Sequence, residues 1–366
     1  ADVASDIDFE TFLAHLDSRS KRRRLLFRDG RPFHVLISQQ FDKAELEALC
    51  DTATSIRRLD RHVEGRDFLR QLLAGKRVMN LFAQPSTRTA ESFAAAAEKL
   101  GATVRVVSDL RTSSFAKGES VDDSVRTLSS FFDTIVARHH DSTFAARAAW
   151  ALSRSNRPIP VISAGSGKDQ HVTQSLLDIY TLRYSFSKRG GIDGKRIMLV
   201  GDIGRNRAAR SLLYLLTKFE IQRVDIVCST EHLPEDDLIP YVEGHDIEVV
   251  VHPAVGPALD AVGQEIDAIY MTRLQQEWDA NRSEPGTSPE FVLRWEYRDR
   301  IRQDCVIMHP LPRINELPVE WDQHPGFVVW RQVRNGMWMR SAVLATIHGA
   351  AEEIRARADR LGLLDD

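Results

Sequence analysis

Cysteine is scarce in this chain, with 3 among 366 residues. Cys50, Cys228 and Cys305 stand far apart, and none of the paired spacings that a zinc site or a redox couple requires is present. A reducing cytoplasm fits this usage. Long hydrophobic runs are also missing: nothing approaches the roughly 18 uncharged apolar residues of a membrane span, and the opening ADVASDIDFE lacks the apolar core of a signal peptide. A soluble, unexported protein with no membrane partner is expected. Nor is there an excess of charge of one sign, since 49 Lys and Arg face 52 Asp and Glu for a net charge of −3. That balance points away from nucleic acid and from anionic lipid. One dense basic run, Lys21 to Arg24 with Arg28 and Arg31, lies in a polar N-terminal extension, residues 1–32, which reads as a solvated arm and is given no function. Repeats of fixed period and low-complexity tracts are absent.

What the chain does have is length and apolar content, 43% hydrophobic over 366 residues, enough for two domains of usual size. Phe33 to Ile37 reads as a short strand, and Asp42 with Glu45 forms a capping box for a helix through Cys50. Short apolar runs then alternate with helical patterns: Val78 to Phe82, Thr103 to Val107, Thr134 to Ala137 and Pro160 to Ser163, with helices such as Glu91 to Leu100 and Thr173 to Tyr184 between them. This is the rhythm of βαβ units around a parallel sheet. A polar break at Ser185 to Lys195 marks the domain boundary. Beyond it Ile197 to Val200, Val224 to Val227, Ile247 to Val251, Ala268 to Met271 and Cys305 to Met308 form a second series. The expected class is α/β, two doubly wound lobes, each a parallel sheet flanked by helices, with ligands at the carboxyl ends of the strands.

Several motifs stand at such strand ends. Pro85-Ser86-Thr87-Arg88-Thr89 follows one strand and opens a helix, so free backbone N–H groups, three hydroxyls and a guanidinium converge on the turn. Taken alone it reads equally as an anion site or as an ordinary hydroxyl-rich cap. Ala137-Arg138-His139 ends a strand, and Gln170-His171-Val172-Thr173-Gln174 precedes a helix. Singly, a structural histidine and a surface arginine describe them as well as chemistry does. Gly165-Ser166-Gly167-Lys168 lacks the spacer and final hydroxyl of a P-loop, which excludes an NTPase. In the second lobe Gly201-Asp202-Ile203-Gly204-Arg205-Asn206-Arg207 follows a strand, but its glycines stand three apart, which argues against a dinucleotide. Thr272-Arg273-Leu274-Gln275 ends another strand, and Arg207 with Arg273 reads either as a clamp for a dicarboxylate or as two unrelated surface charges. His309-Pro310-Leu311-Pro312-Arg313 cannot continue a sheet. It must turn, leaving carbonyls free to accept from a ligand NH₂, and it admits a cis proline bond.

Together, and in this order, the segments STRT (Ser86 to Thr89), ARH (Ala137 to His139), HVTQ (His171 to Gln174), TRLQ (Thr272 to Gln275) and HPLPR (His309 to Arg313) resemble those of the aspartate/ornithine carbamoyltransferase family. The resemblance runs from about Phe33 to the C-terminal helix. Ornithine enzymes typically carry a cysteine-containing HCLP segment and lack TRxQ, so the likeness is to the aspartate branch. It implies transfer of a carbamoyl group from carbamoyl phosphate to L-aspartate, an early step of pyrimidine biosynthesis, with no metal or organic cofactor. It also implies a carbamoyl phosphate domain, 33–184 plus 336–366, an aspartate domain, 185–335, and a C-terminal helix that returns to the first lobe.

By similarity, Ser86, Thr87, Arg88 and Thr89 would hold the phosphate. Thr89, Arg138 and His171 would hold the carbamoyl oxygen as it gains charge. Gln174 and the carbonyls of Pro310 and Leu311 would read the carbamoyl NH₂, and Arg207, Arg273 and Gln275 would hold the aspartate. Ser113 and Lys117 would complete the site of the neighbouring subunit in a homotrimer. The chain departs from the family at Ala90 and Ala94, where an Arg and a Glu are usual, at Gln84 and Trp278, where a Glu and an Arg lock the closed form, and at Ala116 and Val172. These departures keep open a transferase for another amino acid or amine, and a catalytically silent homologue serving as a binding or structural subunit.

Overall fold

The short apolar runs become the strands of two parallel sheets flanked by helices. The computed structural model describes residues 6–84, 86–108, 118–166, 169–273 and 288–363. The chain divides into two compact units, Ala1–Thr173 with Gly336–Asp366, and Gln174–Asn335. The division falls ahead of the polar break at Ser185, because one continuous helix after His171 carries the chain across it.

The N-terminal extension is not a solvated arm. Helix α1 (Phe9–Asp17) is capped by Asp8, which accepts from Thr11 N–H at 2.8 Å, and α2 (Arg19–Leu26) follows directly. Phe12, Leu16, Leu25 and Leu26 are buried in the same apolar cluster as Ile135, Trp150 and Val161. Arg22 of the basic run is itself buried and donates to the Leu16 carbonyl at 2.6 Å, while Arg23 pairs with Glu45 at 2.6 Å. The arginines that dominate the segment's composition hid a narrow apolar face. A hairpin of β1 (Phe27–Arg28) and β2 (Arg31–Pro32) completes it.

The stretch Phe33 to Ile37 is not a strand but a single parallel bridge, Val35 to Ile162. Gln40 is the reason. Its side-chain oxygen accepts from Leu36 N–H at 2.8 Å and Ile37 N–H at 3.3 Å, and its amide donates to the His34 carbonyl at 2.8 Å, so a side chain takes the place of a ladder. Helix α3 (Lys43–Leu59) opens on the Asp42/Glu45 capping box and runs past Cys50, because Ala53, Ile56 and Leu59 continue the buried face. Helix α4 (Val63–Leu72) follows.

The first sheet is built from β3 (Arg77–Phe82), α5 (Thr87–Lys99), β4 (Thr103–Val107), α6 (Val121–Ser129), β5 (Thr134–His139), α7 (Phe144–Ser153) and β6 (Val161–Ser166), with strand order β4-β3-β5-β6. Helix α8 (Val172–Ser185) leads out of it. The second unit runs β7 (Arg196–Val200), α9 (Arg207–Leu216), β8 (Arg223–Val227), α10 (Leu238–Glu243), β9 (Glu248–His252), α11 (Val255–Val262), β10 (Ala268–Met271) and β11 (Val306–Met308), in the order β11-β10-β7-β8-β9. Helix α12 (Val329–Ile347) then crosses the second division of the chain, and α13 (Ala351–Arg360) is tied to α3 by Arg355, whose Nη1 donates to Thr52 Oγ1 at 2.7 Å.

Strand order decides where ligands can sit. In the first sheet the chain goes from β3 outward to β4, then returns to the other side of β3 with β5. In the second it goes from β7 to β8 and β9, then returns with β10. Each reversal opens a crevice at the carboxyl ends of two neighbouring strands, β3 and β5 in one unit, β7 and β10 in the other.

Candidate active-site residues in the two units

In the first unit the hydroxyl-rich turn leaves β3 and enters α5 at one side of the crevice. Ser86 is the N-cap, yet its side chain does not cap: its hydroxyl donates to Thr89 Oγ1 at 3.0 Å. Thr89 is buried, whereas Thr87 and Arg88 are exposed. Asn80, wholly buried in β3, fixes the start of the helix by donating to the Ala90 carbonyl at 3.1 Å.

Arg138 ends β5 on the other side of the same crevice. The ladder to β6 shifts register between Ala137 and His139, a bulge that re-aims the side chain between them. Arg138 is buried and donates from Nη1 to the Ala164 carbonyl at 3.1 Å, and its own carbonyl accepts from Gln84 N–H at 3.4 Å. His171 is buried just ahead of α8. Its neighbour Gln170 is clamped by the segment after the N-terminal bridge, accepting from Ser38 N–H at 2.8 Å and donating to Gln39 at 2.9 Å. The switch point of this sheet thus gathers Ser86, Thr87, Arg88, Thr89 and Arg138 at adjacent strand ends, with His171 following β6.

In the second unit Arg207 is the first residue of α9 after β7, and Arg273 follows β10, so the two arginines flank the other switch point. Gly201 brings the two loops together. Its φ is +118°, and a Cβ there would stand 2.3 Å from Thr272 Oγ1 and 2.4 Å from the Thr272 carbonyl oxygen. Thr272 in turn donates from both N–H and hydroxyl to the Val200 carbonyl, each at 2.8 Å. Asn206 caps α9 through Ala208 and Ala209 N–H, both at 3.1 Å. Burial lowers the pKa of Arg207 from its ordinary value.

The proline turn after β11 is held from behind. His309 is buried, its Nδ1 accepts Leu311 N–H at 2.8 Å, and its Nε2 donates to Glu316 at 2.8 Å. Burial depresses the His309 pKa despite the opposing hydrogen bond to Glu316, and because Nδ1 accepts Leu311 N–H the ring is the neutral tautomer with its proton on Nε2. The Leu311 N–H and the Pro310 carbonyl belong to one trans peptide plane, so pinning the first turns the second away from the ring. Leu311 has φ +59°, and the Leu311-Pro312 bond is cis. Gln174, in the first turn of α8, donates to the buried Asp178 at 3.0 Å.

Ser113, Lys117 and Gln275 lie outside the described residues, as do Ala116 and Trp278. Sequence reasoning missed Asn80, Asp178, Glu316 and Gln332, which brace the helix starts and the proline turn that carry the candidate residues. For Asp178 a signal existed, since Gln174 and Asp178 are one helical turn apart.

Models of the aspartate/ornithine carbamoyltransferase family match most of the chain, the carbamoyl-P binding domain over residues 34–184 and the Asp/Orn binding domain over residues 193–347. Aspartate carbamoyltransferase, chloroplastic, from Oryza sativa subsp. japonica is 35% identical over 314 residues, 85% of this chain and 83% of the relative. The aspartate transcarbamoylase of Trypanosoma cruzi in complex with carbamoyl phosphate and aspartate superposes with a TM-score of 0.74 at 31% identity, covering 86% of this chain and 94% of that one. The catalytic subunit of M. jannaschii aspartate transcarbamoylase gives 0.73 at 32% identity, covering 88% and 98%. The chain belongs to the aspartate/ornithine carbamoyltransferase family.

Proposed function

We propose that this chain is an aspartate carbamoyltransferase, which converts carbamoyl phosphate and L-aspartate to N-carbamoyl-L-aspartate and phosphate. The observation that carries the reading is the placement of complementary donors at the two switch points: a hydroxyl-rich helix start with Arg138 in one sheet, and Arg207 with Arg273 in the other. One set suits a phosphate and a carbonyl oxygen. The other suits a dicarboxylate.

In this reading Ser86, Thr87, Arg88 and Thr89 hold the phosphate at the start of α5. Thr89, Arg138 and His171 stabilise the carbamoyl oxygen as it takes up negative charge. Gln174 and the carbonyls of Pro310 and Leu311 accept from the carbamoyl NH₂, while Arg207, Arg273 and Gln275 hold the two carboxylates. The amine of aspartate attacks the carbamoyl carbon, an N–C bond forms, the C–O bond to phosphate breaks, and the departing phosphate takes the amine proton. No side chain acts as a nucleophile, so positioning and charge stabilisation carry the rate.

The assembly proposed is a homotrimer in which Ser113 and Lys117 serve the neighbouring subunit. Cys50, Cys228 and Cys305 are all free and buried, which supports a reducing compartment, and we place the protein in the cytoplasm. Among the described residues no helix is long and apolar enough to cross a membrane.

The test is a product assay with carbamoyl phosphate and a panel of amino acids. L-aspartate should be the preferred acceptor, and Arg273→Ala should raise the aspartate requirement by roughly 3–5 kcal/mol while leaving that for carbamoyl phosphate much less affected. Preference for ornithine or another amine would overturn the assignment. No product with any acceptor would make the chain a silent homologue.

A further inference from the structure

Asp178 has no part in the functional reading, although it is wholly buried and three side chains point their donors at it. Gln174 Nε2 donates to Oδ1 at 3.0 Å, Gln332 Nε2 donates to the same oxygen at 2.7 Å, and the Tyr270 hydroxyl donates to Oδ2 at 2.7 Å. These side chains come from α8, α12 and β10 of the second unit. Burial and the neighbouring carboxylate push the Tyr270 pKa well up, so its hydroxyl stays a donor.

A carboxylate has no proton to give, so any amide facing it must present its NH₂ end. That settles which way round two glutamines sit. Gln174 shows its NH₂ to Asp178 and turns its oxygen away. Gln332 does the same, and its oxygen accepts His309 N–H at 3.0 Å. The His309 ring then holds Leu311 N–H at 2.8 Å, which orients the Pro310 carbonyl. One buried anion therefore stands behind an acceptor-only set, the Gln174 oxygen directly and the turn carbonyl through Gln332 and His309.

We propose that Asp178 is a specificity-determining positioning residue: by fixing the polarity of the Gln174 and Gln332 amides it makes the site read the NH₂ of the carbamoyl group and reject ligands that carry a methyl group there. The inference rests on the functional reading above and names what selects its first substrate. A flipped Gln174 would set NH₂ against NH₂, a loss of one hydrogen bond and a gain of one repulsion. An aspartate is needed because asparagine has one accepting end and cannot satisfy donors on both oxygens.

The experiment uses the full chain and three stable probes, phosphonoacetamide, its methyl ketone counterpart acetonylphosphonate, and inorganic phosphate, with affinities measured by calorimetry. Wild type should prefer the amide to the ketone by about tenfold or more, the worth of one to two hydrogen bonds. In Asp178→Asn that preference should fall about tenfold, while the ketone and phosphate bind within about twofold of wild type. Gln332→Met should lower the preference in the same direction.

A wild-type chain with no preference for the amide overturns the proposal. So does an Asp178→Asn that keeps the preference or that weakens all three probes by one common factor, since either result describes packing rather than amide polarity. Should Asp178→Asn fail to fold, Gln332→Met decides by the same ratio. Failure of the underlying reading is seen separately, as absence of carbamoyl-aspartate from the wild-type assay.

Discussion

His309 Nε2 and Ile314 N–H both converge on one oxygen of Glu316, at 2.8 and 3.0 Å. The glutamate is fully buried, and its pKa is lowered: burial raises it, but the hydrogen bonds donated by His309 and by Ile314 N–H outweigh the rise. Because a single oxygen accepts both donors, an amide can replace the carboxylate. Glu316→Gln should fold with nearly wild-type stability, whereas Glu316→Ala strands the buried His309 donor at about 1–3 kcal/mol. Chemical denaturation of the two variants side by side checks this, and equal losses would show that the turn does not depend on the acceptor.

Gly201 makes a sharper demand, because the space for a side chain is filled by Thr272 backbone and the φ of +118° is hostile to any Cβ. Gly201→Ala must push apart the strand ends that carry Arg207 and Arg273. The strain is worth about 1–3 kcal/mol. If those arginines hold the acceptor, the KM for aspartate should rise well before that for carbamoyl phosphate does. A substitution that raises both equally would separate the arginines from aspartate binding.

Two buried histidines of the first unit set the acid limit of stability. Desolvation carries His34 down to about 3 and His348 to about 4, from 6.5 in the open chain. Both rings stay neutral when folded, His34 against Ser153 at 3.0 Å and His348 against Thr134 at 2.8 Å. Below pH 6.5 the unfolded chain binds protons that the folded chain refuses, so stability falls as pH falls, by up to about 1.4 kcal/mol per unit for each ring. The contribution of His348 levels off near 4 and that of His34 near 3. His348→Gln should flatten the slope between 6.5 and 4 by one ring's share in urea melts taken across this range. An unchanged slope would sink the attribution.

The strands were legible because parallel sheets bury both faces and so leave apolar runs that composition alone exposes, as at Val78 to Phe82 and Ile197 to Val200. The motif residues were legible because polar groups just past such runs fall at strand ends. What could not be read was supplied at a distance or by a single side chain. Gln40 replaced a strand ladder that Phe33 to Ile37 suggested, and the bulge at Arg138 has no local signature. Asp178 meets Gln332 across 154 positions of sequence, beyond any local pattern. The helices α1 and α2 were hidden for a different reason, since a face as narrow as Phe12, Leu16, Leu25 and Leu26 is outweighed by the arginines beside it.

The last prediction concerns assembly and follows from Ser113 and Lys117, which the family resemblance assigns to a neighbouring subunit's site. A cyclic trimer has head-to-tail contacts, so each site takes a main set from one chain and a loop from the next. Arg88→Ala damages the main set and Lys117→Ala the loop, and each variant alone should be nearly inactive. When the two are dissociated together and reassembled, every mixed trimer places an intact main set beside an intact loop at about one third of its sites. Carbamoyl transfer should then return with no wild-type chain present. Sizing establishes the trimer and native mass spectrometry the mixing. If mixed trimers form and remain inactive, Lys117 has no role in a shared site.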